Sequence, residues 1–186
     1  MRKINKAREE LFKLIKSQAY SEGRFVLSSG KISSYYIDCR KVTLTSRGAY
    51  LAALVILDII KNKKIDAVGG PTIGADPIVG AVSVLSLVKH NKPIKAFLVR
   101  KSAKSYGAKR QIEGPRLTKG CRVVVVDDVA TTGGSLIETL ACLRKQGIKT
   151  EMVVVLVDRN EGAKQALKKA KCKFVPIFNI KDFRNN

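Results

Sequence analysis

Between residues 3 and 20, apolar side chains fall at Ile4, Ala7, Leu11, Leu14 and Ile15, a helical spacing that predicts an amphipathic helix with a basic outer face. The pattern then changes. Arg24–Leu27 and Ser34–Cys39 are short runs rich in β-branched and aromatic residues, and they flank Ser28-Ser29-Gly30, so they are expected to be strands around a turn. A second helix is predicted from Ser46, as its cap, through Ile60, with Leu51, Leu54, Val55 and Ile59 as its apolar stripe. From there the chain alternates. Apolar runs at Asp66–Gly69, Ile94–Val99, Arg122–Val126, Met152–Val157 and Phe174–Ile177 are separated by helical stretches near 76–90, 135–146 and 160–171. Uninterrupted runs such as VVVV and MVVVLV suit strands covered on both faces, the condition that crossover helices create in a parallel sheet. Lys101–Gly120 has no such pattern; it combines glycine, proline and several basic residues between two strands, as a mobile loop would.

Composition narrows the reading. A chain of 186 residues, 45% of them hydrophobic, can bury a full core and has the size of one domain. No apolar run approaches the roughly 18 residues of a membrane span, and charges run through the N-terminal stretch where a signal peptide would be apolar, so a cytoplasmic protein is expected. Cys39, Cys121, Cys142 and Cys172 are scattered, with no C-x-x-C pair, which favours reduced, buried thiols over a structural zinc site. The formal charge of +21, from 36 basic and 15 acidic residues, creates a field that favours anionic partners. Many of the lysines, as in KNKK and ALKKAKCK, fall on predicted solvent faces, and 6% aromatics with no tryptophan offer little for single-strand stacking.

The chemistry concentrates in VVVVDDVATTGGS at 123–135, an apolar strand that passes through two acids, two threonines and two glycines into a helix. Gly133 and Gly134 let backbone amides approach an anion, Thr131, Thr132 and Ser135 offer hydroxyls, and the helix adds its positive N-terminus. Asp127 and Asp128, at the strand's end, suit two neighbouring sugar hydroxyls. The segment has neither the G-x-x-x-x-G-K-[ST] order of a nucleoside-triphosphatase loop nor the G-x-G-x-x-G of a dinucleotide site.

This segment resembles the phosphoribosyl diphosphate signature of the type I phosphoribosyltransferases. Three others resemble the orotate branch of that family: SSGKISSYYIDCRKVTL at 28–44 is similar to its N-terminal hood motif, GGPTIGADPI at 69–78 to its pyrophosphate-side loop, and VRKSAKSYGAKRQIEG at 99–114 to its flexible catalytic loop. The resemblance implies an α/β chain with the type I phosphoribosyltransferase fold: a central parallel sheet flanked by helices, in a single domain whose small hood is mainly residues 1–45 and whose core is about 46–186.

It also implies roles. Arg100, Lys101, Lys104 and Tyr106 of the loop, and Asp127, Asp128, Val129, Ala130, Thr131, Thr132, Gly133, Gly134 and Ser135 of the signature, would bind phosphoribosyl diphosphate. Lys101, Lys104, Asp127 and Asp128 would be catalytic. Thr131 and Arg159, with Tyr36 and Ile37 of the hood, would contact orotate, and Arg159 suits its carboxylate because a guanidinium fork binds a carboxylate at two points. The sequence departs from the family pattern where many members carry a loop histidine, a place taken here by Tyr106, and at Ser28, where some members have a lysine whose charge Lys31 could supply. Tyrosine cannot become a cation at neutral pH, since its reference pKa is about 10, so slower turnover or a changed pH profile is expected.

The reaction implied is transfer of ribose 5-phosphate to orotate, giving orotidine 5′-monophosphate and diphosphate in pyrimidine (UMP) biosynthesis. Mg2+ would be held mainly by substrate phosphates and water, without a dedicated protein metal site. The family's loop lysine, matched by Lys101, reaches into a neighbouring subunit, so a homodimer with composite active sites is implied. Two alternatives stay open: a phosphoribosyltransferase acting on another base, against which the hood motif argues, and a regulator that binds nucleic acid, for which no spare helix-turn-helix segment exists.

Overall fold

The computed structural model describes residues 2–26, 30, 32–101 and 111–184. Helix α1 (Arg2–Leu14) runs into a π-helical turn, Ile15–Ala19, and is followed by the antiparallel pair β1 (Tyr20–Val26) and β2 (Ile32–Ile37). A short α2 (Arg40–Thr43) and a long α3 (Ser46–Ile60) lead to the remaining elements: β3 (Ala67–Pro71), α4 (Asp76–His90), β4 (Lys95–Val99), β5 (Ile112–Glu113), β6 (Arg122–Ala130), α5 (Gly134–Lys145), β7 (Lys149–Asp158), α6 (Ala163–Lys169), β8 (Phe174–Asn179) and α7 (Ile180–Arg184).

The predicted strands β3, β4, β6, β7 and β8 form the parallel body of a six-stranded sheet ordered β5-β4-β3-β6-β7-β8. The sheet is mixed, however: β5 pairs antiparallel with β4 through Leu98–Glu113 and Val99–Ile112. Two residues carry no periodicity, so β5 lay hidden in the stretch expected to be loop. The valine runs are buried on both faces, as their continuity predicts. Val124 and Val126 of β6, with Met152, Val154 and Leu156 of β7, pack with residues of α1, α3 and α4, whereas Val123, Val125, Val153 and Val155 pack with residues of α5 and α6.

Element boundaries shift where local chemistry overrides periodicity. The Thr45 hydroxyl accepts from the Gly48 N–H at 3.1 Å and caps α3, one residue before the expected Ser46. Helix α6 starts three residues later than predicted, because Asn160 (φ 58°) and Gly162 (φ 120°) adopt left-handed conformations that a helix does not allow. All four cysteines are free; Cys39 and Cys142 are buried as expected, but Cys121 and Cys172 are half-exposed. The lysines of 61–64 and 166–173 are exposed, in agreement with a solvated basic surface.

The topology places the site. From β3 the chain moves outward to β4 and β5, then crosses back to lay β6 on the other side of β3 before continuing to β7 and β8. A reversal of this kind leaves a crevice at the carboxyl ends of the two strands between which it occurs. Here β3 and β6 pair only as far as Gly69–Val125, while β6 follows β7 to Ala130–Asp158, so Asp127 and Asp128 lie where the sheet parts.

Close approach at this split requires glycine. A Cβ on Gly70 would fall on the Val126 carbonyl oxygen and 2.7 Å from the Ala75 Cβ. Replacing Gly70 with alanine is expected to destabilise the fold by about 3 kcal/mol, since both the β6 backbone at Val126 and the start of α4 at Ala75 must move; urea denaturation measures the loss, and an unchanged midpoint would show that the strands can spread freely.

Candidate active site

The crevice opens into a cavity of ≈ 770 Å³ lined by Tyr36, Ile37, Asp38 and Arg40 from the hood side, Pro71–Gly74 after β3, Arg100 and Lys101 after β4, and Asp127, Asp128, Val129 and Ser135 from β6 and the start of α5. Three separated segments that the sequence picks out, the hood motif, the pyrophosphate-side loop and the diphosphate signature, thus converge on one space.

At its floor, Asp127 is 7% exposed and Asp128 half-buried. Each accepts a backbone N–H, Asp127 Oδ1 from Asp128 at 2.9 Å and Asp128 Oδ1 from Val129 at 2.7 Å. Burial nonetheless dominates and pushes the Asp127 carboxyl well above the usual carboxylate range, and the neighbouring Asp128 charge adds to the effect. Asp128 is also raised by burial, but its Val129 and Asp127 contacts and the charge of Arg40 pull in the opposite direction. Gly74 closes over the pair: a Cβ there would collide with Asp128 Oδ1 and lie 2.8 Å from Asp127 Oδ1. The loop after β3 therefore meets the acids with bare backbone.

Beyond the acids, Thr131 and Thr132 turn the chain into α5, with Gly133 (φ 85°) as its N-cap. Ile137 donates to the Gly133 carbonyl, so the N–H groups of Gly134, Ser135 and Leu136 precede the first intrahelical bond and stand at the positive end of the helix. No acidic residue occupies this first turn, and Thr132, Gly134 and Ser135 are exposed. The segment can receive a phosphate, as its composition predicts. The wall at β4 is held from below: Arg100 N–H donates to the Gln111 carbonyl at 2.9 Å, and the Gln111 amide donates back to the Arg100 carbonyl at 3.1 Å. Lys104 and Tyr106, like Ser28 and Lys31, lie outside the described residues.

The expected base contacts divide. Tyr36 is exposed at the cavity and Ile37, though buried, also lines it, whereas Thr131 and Arg159 are not part of its wall. Arg159 follows β7, where its N–H donates to the Ala130 carbonyl at 2.9 Å. Its guanidinium lies over the Tyr35 ring, Nε donates to the Tyr35 hydroxyl at 3.1 Å, and Nη2 is 2.8 Å from Glu161 Oε1 without being aligned to hydrogen-bond it. Tyr35 is covered by Arg184 as well, so one hood side chain is gripped by two arginines of the core. Sequence reading gave no individual role to Tyr35, Asp38, Arg40 or Gly74, the last being expected only as one of the glycines that present amides to an anion in the loop at 69–78. An acid two residues ahead of an arginine at a strand-to-helix joint is a signal for the middle two; the others depend on contacts between distant segments.

Among the described residues no three His, Cys, Asp or Glu side chains stand together so as to hold a metal ion, and no helix is long and apolar enough to cross a membrane.

Comparison with known proteins agrees with this geometry. The family model of the phosphoribosyl transferase domain matches residues 44–184. The orotate phosphoribosyltransferase of a Nostoc species is 43% identical over 181 residues, covering 97% of this chain and 87% of that protein. Two solved structures of the Mycobacterium tuberculosis orotate phosphoribosyltransferase superpose over nearly the whole chain. The complex with Fe(III) dicitrate gives a TM-score of 0.82 at 35% identity, covering 95% of this chain and 98% of the other; the complex with 5-phospho-alpha-D-ribosyl 1-diphosphate gives 0.79 at 31%, covering 96% and 99%. With its signature acids at the switch crevice and 97% of its length matched by a relative 43% identical, the chain belongs to the phosphoribosyl transferase family, among the orotate phosphoribosyltransferases.

Proposed function

We infer that this chain transfers ribose 5-phosphate from phosphoribosyl diphosphate to orotate, a step of pyrimidine nucleotide synthesis carried out in the cytoplasm. The observation that carries the reading is the adjacent pair of buried Asp127 and half-buried Asp128, set between an anion-receiving helix start and a cavity walled by Arg100 and Lys101. In the reaction the bond from ribose C1 to the diphosphate oxygen breaks, its electron pair leaves with diphosphate, and N1 of orotate, its proton released to solvent, bonds to C1. Asp127 and Asp128 take the ribose hydroxyls, and residues 131–135 the 5-phosphate. Arg100 and Lys101, with Lys104 and Tyr106 beyond the described residues, meet the diphosphate. Fixed charges aimed at the departing group lower the barrier more than mobile water could. Tyr36 and Ile37 lie against the base, and Arg159, which pairs with Glu161 outside the cavity wall in the free protein, takes the orotate carboxylate beside Thr131 once that pairing is exchanged.

Two carboxylates without a third ligand fit a Mg2+ ion that arrives on the substrate, and they would hold it through the ribose hydroxyls. When bound, the ion supplies charge neutralisation to the diphosphate. We assign the hood to about residues 1–45, within a single domain. A homodimer is favoured by one surface: Gly80, Val84, Leu87 and Val88 lie on one exposed face of α4, and Ile73 precedes it at the cavity wall. An apolar stripe at helical spacing that starts beside the active site suits a second copy whose loop lysine enters that site.

Loss of orotate absorbance on mixing with phosphoribosyl diphosphate and Mg2+, with one diphosphate released per orotate, is the expected result; turnover of uracil or a purine in its place would overturn the substrate. Composite sites make a second prediction. Inactive Lys101→Ala and Asp128→Asn proteins, mixed and allowed to exchange subunits, should recover about a quarter of wild-type activity, because half the dimers are hybrids with one intact site each. No recovery after confirmed exchange would mean that each subunit serves itself. The third concerns pH. The raised Asp127 carboxyl contributes stability that is fully present below its unfolded pKa and lost as pH rises through the higher folded value. Asp127→Asn should therefore raise Tm at pH 8 more than at pH 5 while lowering turnover by roughly a hundredfold or more; equal Tm gains at both pH values would exclude this origin.

A further inference from the structure

Resting on the functional reading above, we propose that Arg40 is a diphosphate-binding residue supplied by the hood, and that Asp38 positions it. The loop that resembles the family's pyrophosphate-side loop, residues 69–78, carries no lysine or arginine and contains Asp76, while the floor beside it holds Asp127 and Asp128. An anion carrying several charges would face backbone and acids there unless cations come from elsewhere. Among the described lining residues the cations are Arg40, Arg100 and Lys101, and the last two both follow β4. Arg40 comes from a different element, at the first residue of α2, and it also lines an adjoining surface recess with Ile73.

Its guanidinium is oriented in advance. Asp38, at the end of β2, accepts from Nε at 2.8 Å and Nη2 at 3.0 Å, and its Oδ1 also accepts the Arg40 backbone N–H at 3.1 Å. Asp38 is itself fixed by its own N–H, which donates to the Ala19 carbonyl at 2.9 Å. No described residue bonds Nη1, and 45% of the side chain is exposed, so one edge of a rigid planar donor remains for a ligand. The fork fixes direction, and a single ammonium could not be held in the same way. Arg40 acts on Asp128 through space as well, which places its charge on the reacting side of the hood.

The test compares wild type with Arg40→Gln, Arg40→Lys and Asp38→Asn in calorimetric titrations with magnesium pyrophosphate and with ribose 5-phosphate, alongside steady-state kinetics. Loss of one charge-assisted contact should weaken pyrophosphate binding in Arg40→Gln by about ten- to a hundredfold. KM for phosphoribosyl diphosphate should rise in step, while ribose 5-phosphate affinity and KM for orotate stay within about twofold of wild type, the margin expected for groups the arginine does not touch. Arg40→Lys should restore part of the loss. Asp38→Asn should fall between wild type and Arg40→Gln, in KM more than in kcat. Unchanged pyrophosphate affinity in Arg40→Gln, an equal loss of ribose 5-phosphate, or no pyrophosphate binding by wild type would each overturn the assignment. If wild type bound pyrophosphate but left orotate unconsumed, the functional reading would fall, and the Arg40→Gln titration would still decide the role of Arg40.

Discussion

Asp127 and Asp128 are held side by side in a cleft that strand pairing leaves open, and burying adjacent acids is costly because each charge loses water and meets the other. The backbone bonds from Asp128 and Val129 offset part of that cost but do not cancel it, since the Asp127 carboxyl stays well above the ordinary range. The free protein thus keeps a destabilised pair whose relief comes from hydroxyl donors or from cationic charge. A site of this kind binds its ligand in exchange for strain already present in the fold, and the rest of the architecture can afford it because the surrounding sheet is buried on both faces.

The neighbours of the acids follow from the same constraint. Any side chain at position 74 would press on both carboxylates, so the loop after β3 contributes backbone there. Cations must then reach the cleft from outside β3 and β6. Arg100 does so from β4, where the antiparallel β5 ties down the far end of the loop through Gln111. Arg40 does so from the hood, where Asp38 fixes its direction. The hood is in turn fastened to the core through Tyr35, which lies between Arg159 and Arg184 and hydrogen-bonds Arg159 and Glu161. The arginine assigned to the base and the strand that carries Tyr36 are therefore parts of one contact network.

What could be read from the sequence depended on the range of the interaction that fixes each feature. The five parallel strands were legible because a strand buried on both faces must be apolar throughout, and the phosphate-receiving turn because its glycines, hydroxyls and acids are contiguous. Strand β5 was not, since two residues become a strand only when β4 lies beside them. The cap at Thr45 and the late start of α6 are decided by single side-chain and φ preferences that a periodicity does not resolve. Gly74 looked like one glycine among several until β3 and β6 were set together. Arg159 was assigned to a ligand only through the family resemblance, and its resting place over the Tyr35 ring depends on a contact across 124 residues.

The net charge of +21 acts at two distances. Lysines at 61–64 and 168–173 are exposed and away from the cavity wall, so at physiological salt, with a screening length of about 8 Å, they contribute to the approach of a polyanion but little to holding it. Retention falls to cations at the wall, where the cavity's own acids must first be outweighed. Arg40 is paired with Asp38, and Arg100 stands 3.7 Å from Glu113, so among the described wall residues much of the positive charge is already matched by carboxylates. In the proposed reading, selectivity for a diphosphate over other anions therefore rests on the direction of particular N–H groups, which a surplus of surface lysine cannot provide.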